Sequence, residues 1–264
     1  MPNHFRSRRT LYLSAAALAA LLILAWLRPA FLLDAGDYIG YAVCHQLPER
    51  SFSLAGRRLP LCARCSGTFL GVFTAYSAVV LRRRTRCTAL PPVPITALFL
   101  LGVGLWALDG ANSYLELLGL PHLYTPQNAL RLAAGMLNGL ALGTLVWPVV
   151  AMTVWKEPEP APVLRGWREY GALLAAGGLE AVLILLGWPP ALYLLALISL
   201  VGVLAILLTV NTLIVVVLLR RENRASAPRD LLLPAGIAAL VSAGMIAGMD
   251  AFRWWLTITY HLPF

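Results

Sequence analysis

Long apolar runs alternate with short polar breaks along almost the whole chain. The runs are too continuous for the one-sided apolar stripe of a soluble helix and long enough to cross a bilayer. Seven are predicted as membrane-spanning helices: about Thr10–Leu27, Ser66–Leu81, Ile95–Ser113 with an extension toward Leu120, Asn128–Met152, Tyr170–Trp188, Ala191–Leu219 and Leu231–Asp250. The first follows Arg6, Arg8 and Arg9 and ends in "AWLRPAF". No small-x-small cleavage site follows it, so it is predicted as a retained anchor. "GWPP" at Gly187–Pro190 is a tight turn between two spans, because proline cannot continue the preceding helix. The aromatic tail "AFRWWLTITYHLPF" suits the membrane interface.

The predicted fold is therefore an all-α polytopic transmembrane bundle of about seven spans. Residues 1–33 form an N-terminal anchor helix, 34–152 a motif-bearing membrane core, and 153–264 a three-helix membrane extension. Composition agrees: 59% of the 264 residues are hydrophobic and only 12% charged, about half the charge of an ordinary soluble domain. The net charge of +9 lies in short loops between apolar runs. That points to a lipid bilayer and its anionic headgroups as partner, and away from nucleic acid.

Charge also sets the predicted orientation. Fourteen of the 21 basic residues fall on one side if the N-terminus is cytoplasmic: Arg6, Arg8, Arg9, Arg82, Arg83, Arg84, Arg86, Lys156, Arg165, Arg168, Arg220, Arg221, Arg224 and Arg229. The positive-inside bias then predicts an N-in, C-out protein of the plasma membrane. It places Cys44, Cys62 and Cys65 in an extracytoplasmic loop and Cys87 in a cytoplasmic one, where Cys87 has no predicted partner.

That loop holds the candidate chemistry. Cys62-x-x-Cys65 sits where a loop enters a helix, with Cys44-His45 upstream. Its "LAGRRLP" middle carries a glycine suited to a turn, so a short hairpin is predicted to bring both ends together. Three chemistries fit the spacing. In the first, Cys44, His45, Cys62 and Cys65 ligate zinc or another transition metal. Adjacent ligands are awkward in extended chain, so His45 is alternatively a supporting group beside an open fourth position. In the second, the CxxC pair does thiol redox work, its thiolates stabilised by the helix dipole and Arg64, with Cys44 resolving. The third is a structural disulfide with one cysteine left over.

Basic residues on the outer side have no orientation reason to be there. Arg50, Arg57, Arg58 and Arg64 lie in or beside the cysteine loop, and Arg131 opens the fourth span. They either bind headgroups and helix carbonyls or build an anion site, for which Arg50, Arg58 and Arg64, with Arg131, are the candidates. Asp109 lies deep in the third span, where a lone carboxylate is costly. A pair with Arg131 is the economical expectation, either as a structural ion pair or as catalytic groups. Asn128 is predicted to cap the fourth helix, and Gly135, Gly139 and Gly143 have the spacing of close helix packing. Glu180, mid-span, is expected to be protonated, paired, or part of a proton or ion path.

"CHQLPERS" followed by "LCARCSGTFLG" resembles the bacterial and archaeal membrane-protein family called domain of unknown function 2085. So does a second block: Asp109-Gly110, "LGL" at Leu118–Leu120, and "NALRLAAGMLNG" at Asn128–Gly139. The chain departs from the family pattern at Ala134, where a hydroxyl residue is usual, and at "ANSYLE", where a glutamine is expected. The resemblance covers roughly 34–152. It implies topology and motif, and no reaction.

No phosphate-cradling glycine loop, Ser-x-x-Lys, HExxH or haem attachment site is present. The leading expectation is a membrane protein with an extracytoplasmic Cys/His metal site beside an Asp/Arg polar pocket, acting on a lipid or small anionic substrate. The alternatives are a membrane thiol-disulfide or quinone oxidoreductase and a transporter, the last suggested by Glu180. Whether the protein is an enzyme is left open by these residues.

Overall fold

The computed structural model describes residues 29–260. The predicted anchor at Thr10–Leu27 lies outside them. Seven α-helices follow one another: α1 (Pro29–Val43), α2 (Ala63–Leu81), α3 (Val93–Leu117), α4 (Asn128–Val154), α5 (Trp167–Leu185), α6 (Pro189–Leu218) and α7 (Leu232–Tyr260). Among the described residues, α2, α3, α4, α6 and a segment containing α7 are long and apolar enough to cross a membrane. Helix α5 has similar length but carries Arg168, Glu169 and Glu180.

Six of these helices correspond to predicted spans, with ends shifted by a few residues. Two features differ. Helix α7 continues to Tyr260, because nothing in "AFRWWLTITY" breaks a helix. Helix α1 was not predicted at all. Its 15 residues reach only about 22 Å, too short for the apolar core, and Asp34 and Asp37 interrupt its apolar pattern. It packs on the loop that follows it and on α6 and α7, and runs across the boundary placed at residue 33.

That loop forms the expected hairpin, β1 (Ser51–Leu54) against β2 (Arg57–Cys62), with Ser51 opposite Cys62. Ala55 and Gly56 turn it with φ of 49° and 79°. Two successive left-handed residues make the turn whose twist matches paired strands. Arg57 ties the hairpin to α1 by ion pairs with Asp34 at 2.7 Å and Asp37 at 2.8 Å.

The centre of the bundle is the contact of α2 with α4, and glycine permits it. A Cβ at Gly135 would strike the carbonyl of Arg64, and one at Gly139 the carbonyl of Thr68. In return, Gly67 and Gly71 of α2 face the backbone of α4 at Leu132 and Met136. Small residues let backbones touch where lipid offers no hydrophobic drive for association.

Loops after α2, α4 and α6 gather at one end. Arg84 forks onto Glu169 at 2.5 and 2.6 Å, and Arg86 lies over the Trp155 ring. A short parallel pair, β3 (Cys87–Ala89) with β4 (Glu159–Pro162), laces two of these loops together. The cysteine hairpin and the α3–α4 loop lie at the opposite end. Gly139→Leu is expected to lower the thermal unfolding midpoint in detergent, at a cost of about 1–3 kcal/mol for overpacking. Gly178→Ala, which meets no atom within 4 Å, leaves the midpoint unchanged.

Candidate metal centre

The hairpin returns the chain so that Cys62 lands beside Cys44. Cys44 follows α1, its N–H bonded to Gly40 O at 2.8 Å. Cys62 ends β2 and is the N-cap of α2, its Sγ accepting the Cys65 N–H at 3.5 Å. A cysteine thus fills the position where serine, threonine or aspartate usually accepts from the first turn. Gln46, in a left-handed conformation with φ of 54°, locks the connection by donating to Pro60 O at 2.7 Å and Asp37 O at 3.1 Å.

Cys44 Sγ is an acceptor from several sides. The backbone N–H groups of Cys62 and Gln46 reach it at 3.3 and 3.5 Å. Hydrogen bonds from the Cys62 and Cys65 side chains pull its pKa down to about 2, the Cys62 bond contributing most, against the opposing effect of burial. Cys62, as the donor, is pushed up to about 11. Hydrogen bonding thus favours Cys44 as the acceptor of the trio, and all three cysteines are free of disulfides. Cys44 and Cys62 are buried, and Cys65 is half-buried.

His45 completes the cluster. Its ring nitrogens, Cys44 Sγ and Cys62 Sγ offer a group of donor atoms within 4.8 Å of one another. Tetrahedral thiolates at 2.3 Å from zinc lie about 3.8 Å apart, so a modest contraction closes the set. His45 Nδ1 accepts the Leu47 N–H at 3.1 Å, which puts the proton of the neutral ring on Nε2. Ligation through Nδ1 therefore exchanges that N–H for the metal. Burial lowers the pKa of His45; Cys44 opposes this, and Arg50, Arg64 and Arg131 reinforce it. The shift favours the neutral imidazole, the form that ligates a metal.

Beside the sulfurs lies a charged network, arranged differently from the expected Asp109–Arg131 pair. Asp109 pairs with Arg64, in the first turn of α2. Arg64 Nε donates to Oδ2 at 2.9 Å, a second nitrogen reaches the same oxygen, and Tyr124 Oη donates to Oδ1 at 2.8 Å. Arg131 instead meets Glu116 at 3.4 Å and Asn128 Oδ1 at 3.0 Å. The two arginines share the Ser113 hydroxyl, at 2.8 Å from Arg64 and 3.5 Å from Arg131. Arg64 stands where α2 meets α4 most closely, its carbonyl against Gly135, and from there its guanidinium reaches Asp109.

The remaining candidates also have partners within the chain. Arg50 is buried and donates to Ser113 O at 3.0 Å, with Glu116 at 3.5 Å. Arg58 bonds both Gln46 O and Gln46 Oε1, the latter at 3.2 Å, so it braces the cysteine loop. Asn128 does not cap α4, whose N-cap is Gln127. Its Nδ2 reaches across to Glu49 O at 3.2 Å. Several members of the network carry no sequence motif: Tyr124, Asn112, Ser113, Glu116 and Arg253, which donates to Cys44 O at 2.7 Å. Four polar residues on α3 had a readable signal, because Asp109, Asn112, Ser113 and Glu116 fall at i, i+3, i+4 and i+7 on one helix face. Asn112 uses it to clamp the α3–α4 loop, accepting Leu123 N–H at 2.7 Å and donating to Tyr124 O at 2.8 Å.

These observations define a helical membrane protein with a buried thiol cluster and three guanidiniums at one end of its bundle. Residues 44–145 match the family model described as "Predicted membrane protein (DUF2085)". The chain is 34% identical over 105 residues to an uncharacterized protein of Methanothermobacter thermautotrophicus, covering 39% of this chain and 83% of that protein. It is 26% identical over 115 residues to the uncharacterized protein MJ1492 of Methanocaldococcus jannaschii, covering 44% of this chain and 68% of that protein. No solved structure matches it. The chain belongs to the domain of unknown function 2085 family, and the matched residues hold the cysteines, Asp109 and Arg131.

A double-mutant cycle separates the two possible pairings. Asp109→Asn with Arg64→Met is expected to show strong coupling in detergent unfolding, since breaking a buried pair costs about 3–5 kcal/mol. Asp109→Asn with Arg131→Met is expected to be close to additive.

Proposed function

We propose that this protein is a metal-binding protein of the plasma membrane, with zinc held by Cys44, Cys62 and Cys65 and with His45 at the fourth position. The observation that carries the reading is the convergence of donor atoms from Cys44, His45 and Cys62 within 4.8 Å. In this reading the bundle has seven spans, N-in and C-out, with 10–27 as the first, and the metal site faces the extracytoplasmic side. The polar network then serves an anionic substrate, a lipid headgroup or a small anion, with Asp109 and Arg131 as its reacting or positioning groups. Charge supports it. Arg50, Arg64 and Arg131 carry three positive charges against the two of Asp109 and Glu116, a surplus that thiolates or a bound anion would answer.

A zinc ion would supply Lewis acidity at whichever position His45 leaves open. His45 can leave it, since its Nδ1 already has an alternative partner in the Leu47 N–H. Arg50 and Arg131 sit on the neighbouring Glu116 and retain further N–H groups with which to hold an anion's oxygens.

A second reading has its own support. A Cys44 thiolate with two sulfurs against it is also the arrangement of thiol-disulfide exchange. Elemental analysis of the purified protein separates the two. Metal is expected to be stoichiometric in the unmodified protein and in Cys87→Ser, and lost in Cys44→Ser and Cys62→Ser. Metal-free protein whose alkylation mass changes with reductant would replace the metal reading with the redox one.

Orientation is tested separately. A cysteine introduced at Ala55 is expected to react with impermeant maleimide on intact cells, and one at Thr85 only after lysis. The reverse pattern would invert the topology.

A further inference from the structure

Helix α5 carries a carboxyl that the metal site does not use. Glu180 lies 13 residues after the helix begins at Trp167, about 20 Å along the axis at 1.5 Å per residue. That is about 8 Å short of the helix end at Leu185, well inside a 30 Å apolar core. It is half-buried. Its Oε1 accepts the Thr74 hydroxyl of α2 at 2.7 Å. Its Oε2 is buried with no hydrogen-bond partner among the described residues.

Glu180 is also the deep end of a groove. A cavity of about 290 Å³ runs between α2 and α5; Thr74, Ser77, Arg82 and Glu180 supply its polar groups, and Phe73, Leu81, Leu173 and three alanines its apolar wall. Thr74, Ser77 and Arg82 climb α2 toward the basic end of the bundle, from Thr74 to Arg82 over about 12 Å. These three offer groups that hydrogen-bond water, with Ala78 and Leu81 lining the stretch between Ser77 and Arg82. The volume accommodates on the order of ten waters. Arg82 is the only other charged side chain lining the groove. One turn before Glu180, Gly177 lies against the side chains of Met136 and Leu140 on α4.

We propose that this groove is a water-filled half-path and that Glu180 is its proton-binding site. A hydronium ion arriving from the Arg82–Arg86 end gives its proton to the Glu180 carboxylate. The products are one water and a neutral carboxylic acid, and the reverse step returns the proton. The orphaned Oε2 is the oxygen that takes the proton, because Oε1 is already engaged by Thr74. A carboxyl placed only to fix helix packing would be satisfied by its neighbours and sealed from water. Glu180 has one unsatisfied oxygen and an avenue to the aqueous face. The proton site is independent of the cysteine cluster at the opposite end.

Two neighbouring alanines provide the test. Ala175 and Ala176 lie at the same depth on α5, and both are exposed; only Ala176 lines the groove. In vesicles, a charged methanethiosulfonate supplied from the Arg82–Arg86 face is expected to modify Ala176→Cys at least tenfold faster than Ala175→Cys, with adducts located by peptide mass. The unmodified chain gives a second measurement. A lipid-soluble carbodiimide reacts with a protonated carboxyl, so its adduct at Glu180 is expected to form more slowly as the pH at that face is raised. Glu180→Gln abolishes the adduct. Equal reactivity at 175 and 176 would mean that the groove holds lipid tails. Carbodiimide modification that ignores pH would mean that Glu180 is cut off from water. Either result overturns the proposal.

Discussion

Helices α2 and α4 approach each other backbone to backbone, and the rest of the site hangs from that contact. Gly67 and Gly71 on one helix and Gly135 and Gly139 on the other leave no room for a Cβ. In a bilayer, packing of this kind replaces the hydrophobic drive that water would supply. It also fixes how far each helix slides along its partner. Arg64 in the first turn of α2 and Arg131 in the first turn of α4 are thereby set against the same face of α3, where Ser113 binds both.

Burying three guanidiniums beside a bilayer is tolerable only if their charge is met. The carboxylates of Asp109 and Glu116, Ser113 Oγ, Asn128 Oδ1 and the backbone carbonyls of Asp109 and Ser113 meet most of it. Cys44 and these arginines all act on His45, from opposite sides of the charge balance. Structural and chemical roles are therefore hard to separate in this protein by design of its charges. The network that holds the α3–α4 loop against the hairpin also creates the polarity that a metal or anion site requires.

The two ends of the bundle are built on different principles. At the cysteine end, buried side chains from hairpin, loop and helices converge on a few atoms. At the other end, short loops are laced by β3 and β4, by the Arg84–Glu169 fork, and by Trp147 and Trp155, which both donate to Thr85 O. Exposed arginines such as Arg83, Arg220 and Arg221 surround that end. Basic loops crowd that end, and at the thiol end the arginines are instead engaged by carboxylates and carbonyls.

Hydrophobic run length alone determined the class and six of the helices, because lipid leaves backbone polar groups only a helix or closed barrel in which to pair. The hairpin was legible too, from Gly56 between two strand-like segments, and so was the meeting of Cys44 with Cys62 across it. Gly135 and Gly139 announced close packing by their spacing. Tertiary structure decided the partners. Arg131 was the natural mate of Asp109 by position along the helices, yet Arg64, from the first turn of α2, holds that carboxylate. That Arg58, a candidate anion ligand, also braces Gln46 could not be read ahead, because a hairpin's register is invisible in its composition. Helix α1 escaped notice because its two aspartates break an apolar run, and only the distant Arg57 makes them affordable there. Charge type and helical period are local properties of a sequence; which charge meets which depends on axial shifts of a few ångströms that only packing sets.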